Sequence, residues 1–268
     1  MFLELSAEII TIYVLTGIFA GVVGGMLGLG GGIVIVPVLH FLFLQQEFPS
    51  SVLMHLAVTT SLATIIVTSV SATYAHHNKG AVLWPVVNRF APGIVIGTAI
   101  GALIADSLSS DILRIAFAVF EILVAIQIWF ELKPKAQVSL PGTVGMVGSG
   151  TGIGLLSTLL GIGGGTLTVP YLLWCNINIR NAVAISSACG FPIAVAGTTA
   201  LIIAGWDSTD LPPHAMSYLY WPAALIIIAM TVFFAPLGAR LAHYLPVKTL
   251  KRFFSILLLV VGIKMLMQ

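Results

Sequence analysis

Two matching stretches decide the fold: Leu27-Gly-Leu-Gly-Gly-Gly-Ile-Val-Ile-Val-Pro37 and Leu160-Gly-Ile-Gly-Gly-Gly-Thr-Leu-Thr-Val-Pro170. In each, a cluster of glycines interrupts an apolar run. Each glycine inside a helix costs about 1 kcal/mol relative to alanine, whereas glycine readily adopts the positive φ of an unwound chain. Each stretch therefore predicts a break between two helices, and the proline that follows is expected to kink or end the second helix.

The composition around these stretches is that of a membrane protein. Of the 268 residues, 7% are charged and 59% are hydrophobic, and the mean hydropathy is +1.10. Soluble domains carry roughly 25% charged residues. Nine acidic and eleven basic side chains cannot supply the polar shell of a soluble protein of this size. The composition excludes a soluble enzyme, a nucleic-acid-binding protein and a disordered chain, and makes the lipid bilayer the main partner of the surface.

Ten apolar segments follow one another along the chain. A helix that crosses a bilayer needs about 20 such residues, and two segments, 33–45 and 165–175, are shorter. Both come directly after a glycine cluster, so we expect half-helices or re-entrant hairpins there. The prediction is a single all-α polytopic membrane domain over 1–268, with about 8–10 membrane segments. The segments are 7–28, 33–45, 51–75, 81–105, 112–131, 142–161, 165–175, 181–204, 217–242 and 249–267.

The two halves of the chain match at several further places, in the same order. These matches predict an internal duplication, with a first repeat over 7–131 and a second over 142–267, and such repeats are common in transporters. The matched pairs are Thr59-Thr60-Ser61 with Ser186-Ser187-Ala188, Trp84-Pro85 with Trp221-Pro222, and Gly101-Ala102 with Gly238-Ala239.

Loop charges predict how the repeats are oriented. Lys and Arg concentrate in cytoplasmic loops. The basic connections contain Lys79, Lys133, Lys135, Arg180 and the 240–252 cluster, whereas Glu8, Glu47, Asp106, Asp111, Asp207 and Asp210 mark the other side. With the basic set inside, each glycine-cluster pair must enter and leave on one side. The repeats are then inverted, and both termini lie outside.

The glycine clusters are the first candidate site. Unwound backbone at membrane depth survives only where it lines a cavity or is buried in protein. A helix that starts at such a break presents free N–H groups and a positive dipole end, and two such ends near the midplane would bind a small anion. The competing interpretation is tight helix packing, which we assign to Gly17, Gly21, Gly25, Gly97 and Gly101. The candidates are Gly28, Gly30, Gly31, Gly32, Gly161, Gly163, Gly164, Gly165 and Thr166.

Hydroxyl and charged residues within the apolar segments are the second group of candidates. Thr59, Thr60, Ser61, Ser186 and Ser187 could donate hydrogen bonds to an oxyanion, or could bond carbonyls of their own helix. Arg89 could add positive potential to an anion path or extend to the membrane interface. Glu121 is a proton-coupling or ion-pairing candidate whose counterpart in the second repeat is Leu258.

Metal and cofactor chemistry has little support in the sequence. Cys175 and Cys189 give neither a disulfide framework nor a metal-ligand spacing, and the six histidines form no ligand constellation. We therefore expect no cofactor and no metal, and packing roles for the cysteines.

The doubled Gly-x-Gly-Gly-Gly-x-x-x-x-Pro motif, together with both hydroxyl runs and both Trp-Pro pairs, resembles the sulfite exporter TauE/SafE family over nearly the whole chain. The resemblance implies movement of small anions across the inner membrane, with sulfite, sulfoacetate and other sulfur-containing organic anions as cargo. The motif residues would be Gly28, Gly30, Gly31, Gly32 and Pro37, then Gly161, Gly163, Gly164, Gly165 and Pro170. The second hydroxyl run departs from symmetry, because Ala188 and Cys189 follow Ser187.

The functional prediction is a transporter, not an enzyme, which exports a small anion such as sulfite or an organosulfonate by alternating access between the glycine breaks. An anion channel is the first alternative and would hold a continuous wet path. A membrane-embedded enzyme would need nucleophile, base or metal residues that converge in a cavity. A cation or metal carrier would need buried carboxylates or thiolates, for which Glu121 and two distant cysteines are poor material.

Overall fold

The computed structural model describes residues 6–27, 31–131, 138–241 and 247–268. These residues form ten α-helices and one two-stranded hairpin. In chain order the elements are α1 (Ala7–Leu27), α2 (Gly32–Gln45), α3 (Leu53–Asn78), α4 (Trp84–Ser107), α5 (Ser110–Trp129), α6 (Thr143–Leu160), α7 (Gly165–Trp174), α8 (Ile179–Ala204), β1 (Ala215–Met216), β2 (Leu219–Tyr220), α9 (Trp221–Leu241) and α10 (Val247–Leu266).

The predicted all-α membrane fold is confirmed. Within the described ranges, seven helices are long and apolar enough to cross a membrane: α1, α3, α4, α5, α6, α8 and α9. The helices after the glycine clusters are short, as predicted, with 14 residues in α2 and 10 in α7. Pro37 and Pro170 lie inside these two helices, which continue past them.

One predicted boundary is wrong. The hydropathy of 217–242 predicts one span, but α9 begins only at Trp221. The residues before it form an antiparallel hairpin in which Ala215 pairs with Tyr220 and Met216 with Leu219. Tyr218, Leu219 and Tyr220 are largely apolar, so hydropathy alone does not separate them from the helix that follows. Pro222 marks the true start, since proline favours the first turn of a helix.

The outer surface of the bundle suits a bilayer. Large apolar side chains on the spans are exposed, among them Leu103 (68%), Ile203 (68%) and Phe233 (74%). The chain has five tryptophans, and each lies at or next to a helix end: Trp84, Trp129, Trp174, Trp206 and Trp221. Tryptophan prefers the membrane–water interface, so these positions mark the two faces of the membrane.

The bundle has two chemically different ends. We call the end that carries Lys79 and Arg180 the basic end, where Arg180 Nη2 donates to the Lys79 carbonyl over 2.8 Å. The acidic end carries Glu47, Asp106, Asp111, Asp207 and Asp210. Helix direction places the start of α1 and the end of α10 at the acidic end, where Arg114 donates to the Met265 carbonyl.

Helices from the two halves of the chain pack on each other in pairs. α1 lies along α9, α4 along α6, α3 against α8, and α5 against α10. Small residues permit the closest crossings. A Cβ built on Gly17 would lie 2.6 Å from Met230 Cβ, and one on Gly101 would lie 2.7 Å from the Leu155 carbonyl oxygen. Gly21 and Gly97 likewise meet neighbouring backbone, so these four glycines pack as predicted.

The core lies around α3. Of its most apolar 18-residue window, 78% is buried, against 33–44% for the other six candidate spans. α2 contributes Ile33, Ile35, Val36 and Leu39, each at most 1% exposed. Cys175 and Cys189 are both buried and unpaired, consistent with packing roles. α3 therefore spans the interior of the bundle, and any route through the protein must run beside it.

Candidate functional site

The helix is interrupted at both glycine clusters. α1 ends at Leu27 and α2 begins at Gly32, while α6 ends at Leu160 and α7 begins at Gly165. Gly31 and Gly164 are the N-caps of the two short helices, with φ of 65° and 75°, and Gly161 ends α6 with φ of 64°. These left-handed conformations are costly for most residues with a Cβ, so glycine is favoured at these three positions. Gly28 and Gly30 lie outside the described residues.

Each short helix begins with amide donors that its own helix does not use. The N–H groups of Val34 and Ile35 both donate to the Gly31 carbonyl, and those of Leu167 and Thr168 donate to the Gly164 carbonyl. The first two amides of α7, at 165–166, have no backbone acceptor among the described residues, as expected for the first turn of a helix. These amides carry the positive end of the helix dipole and are suited to a negatively charged ligand.

The two breaks meet inside the bundle. A Cβ built on Gly32 would lie 2.6 Å from the Gly161 carbonyl oxygen and 3.1 Å from Ile162 Cα. Ser61 Oγ donates to the same Gly161 carbonyl over 2.8 Å. A Cβ on Gly190 of α8 would lie 3.2 Å from the Gly163 carbonyl oxygen. The second break is thus held between α2, α3 and α8 by close backbone contacts that only glycine permits.

A cavity of about 410 Å³ extends from the breaks to the basic end. Its deep end is formed by Gly31, Gly163 and Gly165, which are buried. Its walls come from α1, α3, α8 and α9. At the other end it reaches Ala75 and Lys79, which are exposed, so the cavity opens at the basic end. No aspartate or glutamate is among the described residues that line it.

Ser186 is the polar side chain best placed to bind a ligand in this cavity. It lines the cavity, is 1% exposed, and its Oγ has no hydrogen-bond partner in the described part of the chain. A buried hydroxyl without a hydrogen-bond partner destabilises the folded protein by about 1–3 kcal/mol. A bound ligand that accepts a hydrogen bond from Ser186 would remove this penalty. Ser187 also lines the cavity, but its Oγ donates to the Val183 carbonyl over 3.0 Å.

The first hydroxyl run is placed differently. Thr59, Thr60 and Ser61 are each 0% exposed, and none of them lines the cavity. Thr60 Oγ1 accepts a hydrogen bond from the Tyr220 amide over 3.1 Å, and Ser61 holds the second glycine break. Thr59 Oγ1 has no partner in the described ranges. The structure therefore brings together Gly31, Gly163, Gly165, Ser186 and Ser187, and leaves the first hydroxyl run buried outside the lining of this cavity.

The remaining candidates lie apart from the cavity lining. Arg89 is exposed on α4. Thr166 is 6% exposed in the first turn of α7, and its hydroxyl has no partner among the described residues. Glu121 is 0% exposed on α5, and both of its carboxyl oxygens lack a partner within the same ranges.

An aromatic cluster packs between the breaks and the acidic end. The Phe43 and Phe48 rings stack with centroids 5.0 Å apart, and Tyr220 packs edge-on against both, at 5.3 and 5.2 Å. We call Phe43, Phe48 and Tyr220 the aromatic seal. The Tyr220 amide also donates to Thr60 Oγ1, so the seal is attached to the first half of α3.

The hairpin that carries Tyr220 is fastened to α3 and α4. The Tyr218 ring packs on His55 with centroids 4.8 Å apart, and its hydroxyl donates to Asp106 Oδ1 over 2.8 Å. Burial, together with the neighbouring Asp106 carboxylate, raises the pKa of Tyr218 to about 12. The Tyr218 hydroxyl therefore stays protonated and remains a donor across the physiological pH range.

Several lining residues were not predicted from the sequence. Thr68, Ser69 and Ser71 on α3 face the cavity, as do Thr231 on α9 and Lys79 at the mouth. The signal was present for α3, because hydroxyl residues recur at helical spacing for two turns after Ser61. Thr68 and Ser69 bond to carbonyls of their own helix, so they supply polar surface rather than free donors.

Apolar helices around a cavity that ends at broken half-helices define a multi-pass membrane transporter. The family model for the sulfite exporter TauE/SafE family matches residues 13–265. The chain is 37% identical over 262 residues to a probable membrane transporter protein of Haemophilus influenzae, covering 97% of this chain and 98% of that protein.

More distant relatives also match over nearly their whole length. The probable membrane transporter protein YunE of Bacillus subtilis is 29% identical, covering 96% of this chain and 97% of its own. A probable membrane transporter protein of Methanocaldococcus jannaschii is 26% identical, with coverage of 97% and 96%. No solved structure matches the chain. The chain belongs to the sulfite exporter TauE/SafE family, and the relatives above are named as probable membrane transporters.

Proposed function

We propose that the protein exports a small anion, either sulfite or an organosulfonate or another sulfur-containing anion, by alternating access around its paired glycine breaks. The observation that carries the proposal is the cavity that opens at the basic end and stops at both breaks, where the Ser186 hydroxyl has no partner among the described residues. The family match and the sulfite exporter description of that family support the choice of cargo.

The chemistry of the deep end favours an anion over a cation. It offers two donors without a partner among the described residues, namely the Gly165 amide, at the positive end of the α7 dipole, and the Ser186 hydroxyl. Buried charge is tolerated only when it is paired or hydrogen-bonded, and hydrogen bonds to a charged acceptor are about twice as strong as neutral ones. A cation would need carboxylates or carbonyls, and the described lining holds no acidic side chain.

The mechanism rests on two inverted repeats, over 7–131 and 142–267. Their exchange of packing partners supports this, since α1 of the first half lies on α9 while α6 of the second half lies on α4. If the repeats exchange conformations, Thr59 and Thr60 take the environment that Ser186 and Ser187 have now. The protein then has two conformers, one open at the basic end and one open at the acidic end. The glycine breaks bind the anion in both.

Orientation follows from the positive-inside rule. With Lys79 and Arg180 in the cytoplasm, the cavity faces the cytoplasm of the inner membrane, and both termini lie outside. An exported anion enters at the basic end and leaves at the acidic end. A membrane potential that is negative inside favours its exit by about 2.3 kcal/mol per charge per 100 mV. A uniporter could therefore export without a coupling carboxylate, and Glu121 would then serve packing or pairing.

Flux in proteoliposomes tests the proposal and separates it from an anion channel. We expect saturable uptake of radiolabelled sulfite, accelerated when unlabelled sulfite is present on the other side. Sulfoacetate, taurine and thiosulfate are then screened as competitors. A channel would give flux that rises linearly with concentration and shows no acceleration from the far side. Flux of a cation with none of any anion would contradict the proposal.

A further inference from the structure

A lysine side chain lies at the mouth of the cavity, away from the proposed anion site at the deep end. Lys79 lines the cavity where it opens at the basic end, and its side chain is the one permanently charged group among the described lining residues. It follows the last turn of α3, and His76 lines the same mouth one turn earlier. The neighbouring elements α1 and α9 contribute glycine, alanine, proline and threonine there.

A helix-ending motif fixes the backbone of Lys79. Gly80 has φ of 64°, its amide donates to the His77 carbonyl over 2.8 Å, and the Ala81 amide donates to the His76 carbonyl over 3.1 Å. This pair of hydrogen bonds around a left-handed glycine is the Schellman motif. Lys79 therefore leaves the helix at a defined point, rather than from a frayed end.

A second cation from the other half of the chain lies beside Lys79. Arg180, in the first turn of α8, donates from Nη2 to the Lys79 carbonyl over 2.8 Å. Next to it, Asn181 Nδ2 donates to the Ala81 carbonyl over 2.9 Å. These two bonds clamp the start of α8 to the end of α3, which are the two helices that frame the mouth. The clamp places the Arg180 guanidinium beside the Lys79 backbone at the entrance.

We propose that Lys79, backed by Arg180, forms an anion-selecting vestibule, in which Lys79 is a specificity-determining residue. This inference rests on the proposed function. Lys79 lies about ten residues along the chain from Ser69 near the breaks, about 15 Å at the rise of a helix. That distance is too long for direct contact with an anion at the deep end, so Lys79 acts on the entering anion.

The test compares Lys79→Gln and Lys79→Arg in proteoliposomes, with sulfite as the probe at low and high ionic strength. Positive potential at a cleft raises the local concentration of an anion by about 10-fold or more. We expect Lys79→Gln to raise the KM for sulfite about 5–10-fold at low salt with kcat unchanged, and Lys79→Arg to restore it. High salt should remove most of the difference. Arg89→Gln removes an exposed cation away from the cavity and is the matched control.

The outcomes separate the two proposals. If the wild type transports sulfite and Lys79→Gln has the same KM at low salt, the vestibule is wrong and the transport function stands. The vestibule is equally wrong if Arg89→Gln raises KM as much as Lys79→Gln does. If the wild type moves no anion at either ionic strength, the proposed function fails, and the vestibule fails with it.

Discussion

The two hydroxyl runs occupy matching places in the two halves of the chain, yet one is sealed and the other lines a cavity. Thr59, Thr60 and Ser61 are 0% exposed and do not line this cavity. Ser186 and Ser187 line the cavity that opens at the basic end. Matching sequence therefore does not give matching environments within one conformation. We infer that the difference belongs to the conformer, and that the two runs take turns.

Local sequence supports the proposal that the acidic end is the closed one. Six residues after the motif proline, the first half has Phe43 and the second half has Asn176. Directly before the Trp-Pro pair, the second half has Tyr220 and the first half has Leu83. Both aromatic residues belong to the seal at the acidic end. The basic end has a polar and an aliphatic residue at the matching positions, so it lacks the means to form the same aromatic cluster.

The largest effect is expected from Gly164→Leu, which should reduce sulfite flux to that of protein-free liposomes. Gly164 has φ of 75°, and a Cβ there would lie 2.6 Å from Ile193 Cδ1. The substitution would therefore displace the start of α7 and its free amides. Gly148→Leu, on α6 with nothing within 4 Å of a Cβ built there, is the matched control and should keep full flux. Wild-type flux in a monodisperse Gly164→Leu protein would show that the break is dispensable.

The next effect tests the seal. In a protein with Cys175 and Cys189 replaced by alanine, Thr59→Cys should resist a membrane-impermeant thiol reagent, whereas Ser71→Cys in the cavity should react. Adding Phe43→Ala removes a buried ring, a change that costs about 3–5 kcal/mol in a packed core. We expect labelling of Thr59→Cys to rise at least about 10-fold, because that cost falls on the closed conformer. Equal labelling with and without Phe43 would mean that the ring does not hold the acidic end shut.

Removing the Ser186 hydroxyl should have a smaller effect, confined to affinity. A hydrogen bond to a charged group contributes at least about 1.5 kcal/mol, so Ser186→Ala should raise the KM for sulfite at least about 10-fold. Thr198→Val removes another buried hydroxyl that lacks a partner in the described ranges but does not line the cavity. It should leave KM unchanged. Equal KM values for Ser186→Ala and the wild type would assign the Ser186 hydroxyl to packing.

The smallest effect is expected from removing the hydrogen bond between Tyr218 and Asp106, which holds the hairpin to α4. Tyr218→Phe removes the hydrogen bond to Asp106, which is exposed, but keeps the ring packed on His55. Exposed interactions are strongly screened by solvent, so labelling of Thr59→Cys should rise only a few-fold. An increase as large as that from Phe43→Ala would place the main restraint on the acidic end in the hairpin rather than in the aromatic seal.

Most of the helices could be predicted from the sequence, because hydropathy and glycine content are local properties. The breaks at Gly31 and Gly164 and the short α2 and α7 follow from three adjacent glycines in an apolar run. The hairpin before α9 could not be predicted in this way, since it depends on contacts of Tyr218 and Tyr220 with distant helices. The side on which the cavity opens depends on the packing of the conformer, which a repeated motif does not encode.

The central claim is that the two glycine breaks turn unused amides and the Ser186 hydroxyl toward an anion, and locating a bound anion tests it most directly. A structure determined with selenite, a heavier analogue of sulfite, would reveal the anion by its anomalous scattering. The account predicts one peak at the deep end of the cavity, with oxygen atoms about 3 Å from the Gly165 amide nitrogen and Ser186 Oγ. A bound selenite away from both breaks, with the deep end of the cavity occupied by lipid or side chains, would contradict it.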